Sequence, residues 1–145
     1  MLISIDPGFT SGTCIADRGE RSSGNFTVTA CIAIEWSNRF FYHDFITTHG
    51  KAIDAIIVED FKLTRDPKKL KAMYKSRMPS SQVIGLIDCA AYAAGILNRV
   101  IFQEPADRFN VTVLPHDQPI VGLIGHNQDA YRHLRYYVQR TRIKI

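Results

Sequence analysis

The chain has 145 residues, 46% of them hydrophobic and 22% charged, with a formal net charge of +4. That is enough for one compact domain and too little for two, and with no fixed repeat it argues against disorder, collagen-like structure and solenoids. The small positive excess suits a polyanionic partner without requiring one.

Residues 2–6 predict a first strand. Nothing ahead of it reads as a secretory signal: there is no basic segment and no small-residue cleavage site. DPGFTSG follows, and its Pro and two Gly mark a sharp turn. Residues 13–17 and 26–34 predict a second and third strand around the polar turn 18–25, giving an antiparallel meander. Ser37 can cap a helix over 38–49, with Phe41 and Phe45 one turn apart and Gly50 as its stop. Residues 55–58 are an unbroken apolar run ahead of Glu59. A strand without polar alternation is buried on both faces, so this one is expected to be central and parallel to a neighbour.

Residues 62–81 are the most basic stretch, with Lys62, Arg65, Lys68, Lys69, Lys71, Lys75 and Arg77. Asp66 followed by Pro67 predicts a short helix within it. Ser80 or Ser81 then caps a long helix ending near Gly95, whose Gly85, Ala90, Ala91, Ala93 and Ala94 permit close approach of another element, such as a second subunit. Asp88 is expected on its exposed or subunit-facing side. The apolar stretch 83–97 is too short to span a bilayer, and a soluble cytoplasmic protein is expected. Residues 100–103 predict a fifth strand, 111–114 read equally as strand or loop, and 115–125 form a loop rich in Pro and Gly. A last helix runs from about His126 to about Arg140. Three strands, helix, strand, helix, strand, helix make a mixed α/β sheet covered by helices. The cysteines Cys14, Cys31 and Cys89 are odd in number and contain no CxxC. Neither a disulfide framework nor a zinc site is expected, and all three read as small core side chains.

Asp6 closes the first strand and Glu59 the central one. If those strands are neighbours, the two carboxylates face each other across one strand spacing, roughly 5 Å. Carboxylates that close repel unless a proton or a metal lies between them, and hard oxygen ligands favour magnesium or manganese. On the last helix, in HNQDAYRH, His126 and Asp129 are spaced i, i+3, about 60° apart. Small Ala130 lets that face approach a sheet edge. An acidic cluster from three elements, beside a basic excursion, suits two-metal phosphodiester hydrolysis, one ion activating water and the other stabilising the leaving oxygen. Each part has a bland alternative: a turn carboxylate, a strand-ending Glu, an Asp at a helix start. His133 reads as a packing residue, Asp60 as a loop or supporting residue, and Tyr131, Tyr136 and Tyr137 as helix packing.

On DPGFTSG, IIVEDF (56–61) and GHNQDAYRHLRYY (125–137), with weaker support from VIGLID (83–88) and QEP (103–105), the chain resembles the RuvC-type Holliday-junction resolvases of the ribonuclease H-like superfamily, most of all the short phage members. The resemblance implies a ribonuclease H-like fold, a five-stranded mixed sheet flanked by helices, in one domain over 1–145. It implies that Asp6, Glu59 and Asp129 are the metal-binding acids and His126 the fourth catalytic position. Two Mg2+ per site are expected, with Mn2+ able to substitute, and no small-molecule cofactor. The implied activity is nicking of two opposing strands of a four-way junction by a homodimer in DNA recombination and repair, leaving 5′-phosphates and 3′-hydroxyls. Phe61 and the seven basic residues of 62–77 would contact DNA, and Arg132, Arg135, Arg140, Arg142 and Lys144 would extend that surface. The chain departs from bacterial RuvC in being shorter and in having Lys62 three positions past Glu59, where those enzymes carry an aromatic residue. The competing readings are a same-fold nuclease acting on flaps or other DNA, and a non-catalytic branched-DNA-binding protein. A nucleotide-binding domain of the actin and Hsp70 type needs two lobes, which this length does not supply.

Overall fold

The computed structural model describes residues 1–19, 26–61, 65–75, 77–111 and 125–141. Its strands β1 (Leu2–Asp6), β2 (Thr10–Arg18), β3 (Phe26–Glu35), β4 (Ala55–Glu59) and β5 (Val100–Gln103) form one sheet in the order β3-β2-β1-β4-β5. β1, β2 and β3 are an antiparallel meander, β4 runs parallel to β1, and β5 parallel to β4. The helices among the described residues are α1 (Phe41–His49), α2 (Pro67–Lys75), α3 (Pro79–Ala93) and α4 (Gly125–Thr141). The apolar run of β4 is central and parallel, as its pattern implies, because helices cover both faces of the sheet there.

Strand alternation sorts the side chains into two cores. Ile3, Ile5, Ile56 and Val58 pack against Tyr42 and Ile46 of α1 and Val83, Ile87, Ala90 and Ala91 of α3. Leu2, Cys14, Ala16, Ala55 and Ile57 point the other way, onto Ala130, Tyr131, Leu134 and Val138 of α4. The same parity carries Asp6, in step with Leu2, and Glu59, in step with Ala55 and Ile57, to the α4 face.

Local chemistry corrects several boundaries. β2 starts at Thr10 rather than residue 13. Ser37 lies in a 3-10 turn, Trp36–Asn38, and caps nothing, so α1 begins only at Phe41. Asp66 does cap α2, accepting the Lys68 backbone N–H at 2.9 Å. Neither Ser80 nor Ser81 caps α3, which starts at Pro79 after Met78 turns left-handed (φ 49°). The Ser80 hydroxyl instead donates to the Pro7 carbonyl at 2.8 Å, tying α3 to the turn after β1. Some of the small residues of α3 serve contacts within the chain, while Gly85 and Ala93 are exposed. Ala90 and Ala91 are core, and Ala94 closes on Gly50, where an added Cβ would lie 2.8 Å from its methyl. Asp88 is half-buried on α3, across the sheet from α4.

The expectation for the cysteines holds for Cys14, which is buried in the core with Cys31 packed against it, and fails for the disulfide and for Cys89. Cys14 and Cys31 are register partners across β2 and β3 and are joined in a disulfide, while Cys89 is exposed. Register decides which side chains meet, and spacing along the chain does not contain it. No helix among the described residues is long and apolar enough to cross a membrane. The strand-or-loop alternative at 111–114 and the loop 115–125 lie almost wholly outside the described residues.

Candidate active site

Asp6 and Glu59 each follow the last registered pair of β1 and β4, Ile5 with Val58. They lie at the carboxyl ends of adjacent parallel strands, where open α/β sheets build their sites. Asp6 is buried, and its Oδ2 is 2.6 Å from His126 Nδ1. Its register partner on β2 is Gly12. A Cβ at Gly12 would lie 1.9 Å from the His126 carbonyl oxygen and 2.6 Å from Asn127 N. Only glycine lets the first turn of α4 rest on β2 and carry His126 over Asp6.

His126, Asp129 and His133 follow the helical repeat along one face of α4, and buried Ala130 beside them allows the close approach. His133 is fully buried, with Nε2 2.7 Å from Glu59 Oε2 and Nδ1 2.7 Å from Gln103 Oε1. Gln103 stands beside Glu59 in the β4–β5 register. His133 is thus a packing residue, as read from the sequence, and also a polar brace for Glu59.

Arg108 completes the cluster. Its Nη1 donates to Glu59 Oε2 at 2.9 Å and lies 3.4 Å from Asp129 Oδ2. It comes from the 3-10 turn Pro105–Phe109, which is fixed at its start by reciprocal capping between Glu104 and Asp107. Arg132 approaches the other oxygen of Asp129, at 3.6 Å. Sequence reasoning passed over Arg108, read Gly12 only as a turn residue of DPGFTSG, and took Gln103 only as part of QEP. Gln103 was detectable from parity at the end of β5; nothing along the chain marks Arg108.

The environments push the two strand-end carboxyls apart. Burial raises Asp6 above the ordinary carboxylate range, and the charges of Glu59 and Asp129 add to this against the His126 hydrogen bond. Burial also acts to raise Glu59, but His133 and Arg108 outweigh it and hold that carboxyl below its usual value. Asp6 therefore feels both other acids, so Asp6, Glu59 and Asp129 share one electrostatic site.

Three carboxylates and an imidazole are a donor set that suits Mg2+ or Mn2+. A dication beside Asp6 would offset its burial first and the neighbouring charges of Glu59 and Asp129 second. Among the described residues, no three of His, Cys, Asp and Glu already stand in a ligand arrangement, and a guanidinium lies between two of the acids. The donor chemistry fits the metal; the arrangement is that of acids held by an internal cation.

The other candidates lie nearby or on α2. Phe61, half-buried, lines a shallow cavity of about 200 Å3 with Pro7, Glu59, Asp60, Ser80 and Pro105. Lys68, Lys69, Lys71 and Lys75 are exposed on α2, and Arg65 and Arg77 flank it, also exposed. Lys62, Arg142 and Lys144 lie outside the described residues. Arg140 is exposed, but Arg135 is buried and Arg132 faces Asp129, so α4 extends the basic surface less than its sequence suggests.

No family model matches the chain, and no curated protein does. Solved structures do. Thermus thermophilus RuvC bound to a Holliday junction substrate is similar over 97% of this chain and 94% of that one, at 16% identity and a TM-score of 0.65. A second Thermus thermophilus RuvC structure is similar over 98% and 96%, at 16% identity and a TM-score of 0.58. The yeast mitochondrial Holliday junction resolvase Ydc2 is similar over 97% of this chain and 80% of its own, at 11% identity and a TM-score of 0.55. The fold is therefore that of the RuvC-type resolvases, a ribonuclease H-like mixed sheet flanked by helices, as the motifs implied.

Proposed function

We propose that the chain is a metal-dependent, structure-selective DNA endonuclease that resolves four-way junctions. The observation that carries this reading is the convergence of Asp6, Glu59, His126 and Asp129, from β1, β4 and α4, at one end of a RuvC-type sheet. A protein of similar fold is bound to a Holliday junction. Asp6, Glu59, Asp129 and His126 would hold two Mg2+, or Mn2+, which would supply an activated water and neutralise the leaving oxygen. His126, with Nδ1 2.6 Å from Asp6 Oδ2, would help to orient or protonate near the attacking water. His133 and Gln103 lock Glu59 in one rotamer, and α2 offers lysines to strand phosphates without reading bases. One such site cuts one strand, so a homodimer is required to nick two opposing strands, leaving 5′-phosphates and 3′-hydroxyls. Such a protein acts where its DNA is, in the cytoplasm, the host's if the source is a phage.

One observation favours a second reading. Arg108 between Glu59 and Asp129, with no ready ligand set among the described residues, is what a non-catalytic junction-binding protein would carry. A cleavage assay separates the two. The purified chain is incubated with synthetic four-way junctions, flaps, forks and linear duplex in Mg2+ or Mn2+, and cut positions are mapped. Paired nicks in opposing strands of the junction support resolution. Preference for flaps assigns the same-fold alternative, and tight binding without cleavage assigns the non-catalytic one.

A further inference from the structure

We infer that Arg108 is the resident cation of the acid cluster, a positioning residue that holds Glu59 and Asp129 and competes with a divalent ion for the same oxygens. This rests on the reading of the cluster as a metal site. One nitrogen, Nη1, serves both acids, at 2.9 Å from Glu59 Oε2 and 3.4 Å from Asp129 Oδ2. Glu59 comes from β4 and Asp129 from α4, so this single group joins a strand to a helix across the site. Without it, two carboxylates near a third, buried one would repel in a medium less polarisable than water.

The pairing differs from a permanent structural bridge. Arginine grips a carboxylate best with two parallel donors, and here it uses one nitrogen for two acids. Its Nε–H is buried and has no hydrogen-bond partner among the described residues. Native structures rarely leave such a donor unpaired. The guanidinium is thus held by charge more than by fitted hydrogen bonds, which makes it displaceable by a dication that binds the same oxygens more strongly. In the same conformation its carbon lies 5.0 Å from the ring of Phe109, which is largely exposed, so an aromatic face is within reach of the guanidinium once the acids release it. The capped turn from Glu104 fixes the backbone, so only the side chain has to move.

The test compares the full chain with Arg108→Met, which keeps an apolar stem, and Arg108→Lys, which keeps the charge. Thermal midpoints are measured in EDTA, alone and with Asp129→Asn added, and Mn2+ binding is measured by calorimetry. We expect Arg108→Met to lower the midpoint in EDTA, Asp129→Asn to recover much of that loss, and Arg108→Met to bind Mn2+ about five- to tenfold more tightly than the parent. Arg108→Lys should fall between. Equal Mn2+ affinity in parent and Arg108→Met, or a stability loss that Asp129→Asn leaves unchanged, would overturn the inference. Absence of Mn2+ binding in every protein would overturn the metal reading and the competition with it. The EDTA coupling between Arg108 and Asp129 tests the electrostatic hold without any metal.

Discussion

His133 donates from Nε2 to Glu59 Oε2 at 2.7 Å while its other nitrogen meets Gln103 Oε1 at 2.7 Å, and the imidazole has no exposure to solvent. The end of the central strand is therefore braced from α4 and β5 together. His133→Ala removes the brace, leaves Gln103 Oε1 unpaired and leaves Glu59 Oε2 to Arg108 alone. Urea denaturation should register a loss of about 1–3 kcal/mol. His133→Gln, which retains one donor, should lose less. If both variants unfold at the parental midpoint, the brace contributes nothing.

Asp6→Asn keeps the shape of the side chain and removes its charge. Cleavage of a four-way junction should disappear, while junction affinity, measured by gel shift, stays within about twofold because phosphate contacts dominate affinity. Measurable nicking by the pure variant would refute a catalytic role for Asp6.

Gly12→Ala forces a methyl into the backbone of α4 at His126. Overpacking of this kind costs about 1–3 kcal/mol, and the shift should move His126 away from Asp6, so cleavage falls further than stability alone accounts for. Gly85→Ala is the control. Nothing lies within 4 Å of its Cβ, on the open side of α3. A helix interior gains about 0.5–1 kcal/mol from that exchange. Equal thermal midpoints for the two variants would contradict the close approach at Gly12.

α2 buries none of its residues, so replacing Lys68, Lys69, Lys71 and Lys75 with Gln should leave the thermal midpoint unchanged. Junction affinity should fall, and the slope of log affinity against log salt should flatten by about 0.9 for each phosphate no longer neutralised. An unchanged slope would identify α2 as an ordinary solvated face.

Tyr42 supplies the pH dependence. Its hydroxyl is buried and 2.6 Å from Thr13 Oγ1. Burial pushes its pKa up to about 12, Asp6 adds to this, and hydrogen bonds from Thr13 and Ser11 oppose it. A group whose native pKa is raised contributes fully below its unfolded value, here 10.0, and loses that contribution as pH climbs to about 12. Over that window the stability advantage of the parent over Tyr42→Phe should shrink by about 1.4 kcal/mol per pH unit. Urea midpoints from about pH 9 to about pH 11.5 measure it; a constant difference would mean that Tyr42 ionises as freely in the native state as in the unfolded one.

Much of the site was legible along the chain because two periodicities carry it. The unbroken apolar run before Glu59 identified a central strand, and the step of two along β1 and β4 brings Asp6 and Glu59 to one face. The helical spacing of His126, Asp129 and Ala130 identified the face of α4 that meets them. Ser37 and Ser80 misled, since a hydroxyl near a helix start competes with other uses. Ser80 bonds Pro7 across 73 positions of sequence, a partner that local pattern does not contain.

The sequence alone thus determined the element order, the two-sided burial of the central strand and the acids at the sheet's carboxyl end, because hydrophobic burial and backbone periodicity act over a few neighbouring residues. Tertiary structure alone decided what surrounds those acids. The Cys14–Cys31 pairing depends on strand register, the need for glycine at position 12 depends on a helix laid across β2, and the meeting of Arg108, Glu59 and Asp129 depends on three separate elements. Charge pairing acts through space and is indifferent to chain order, so the cation that holds the site together leaves no trace in the spacing of residues.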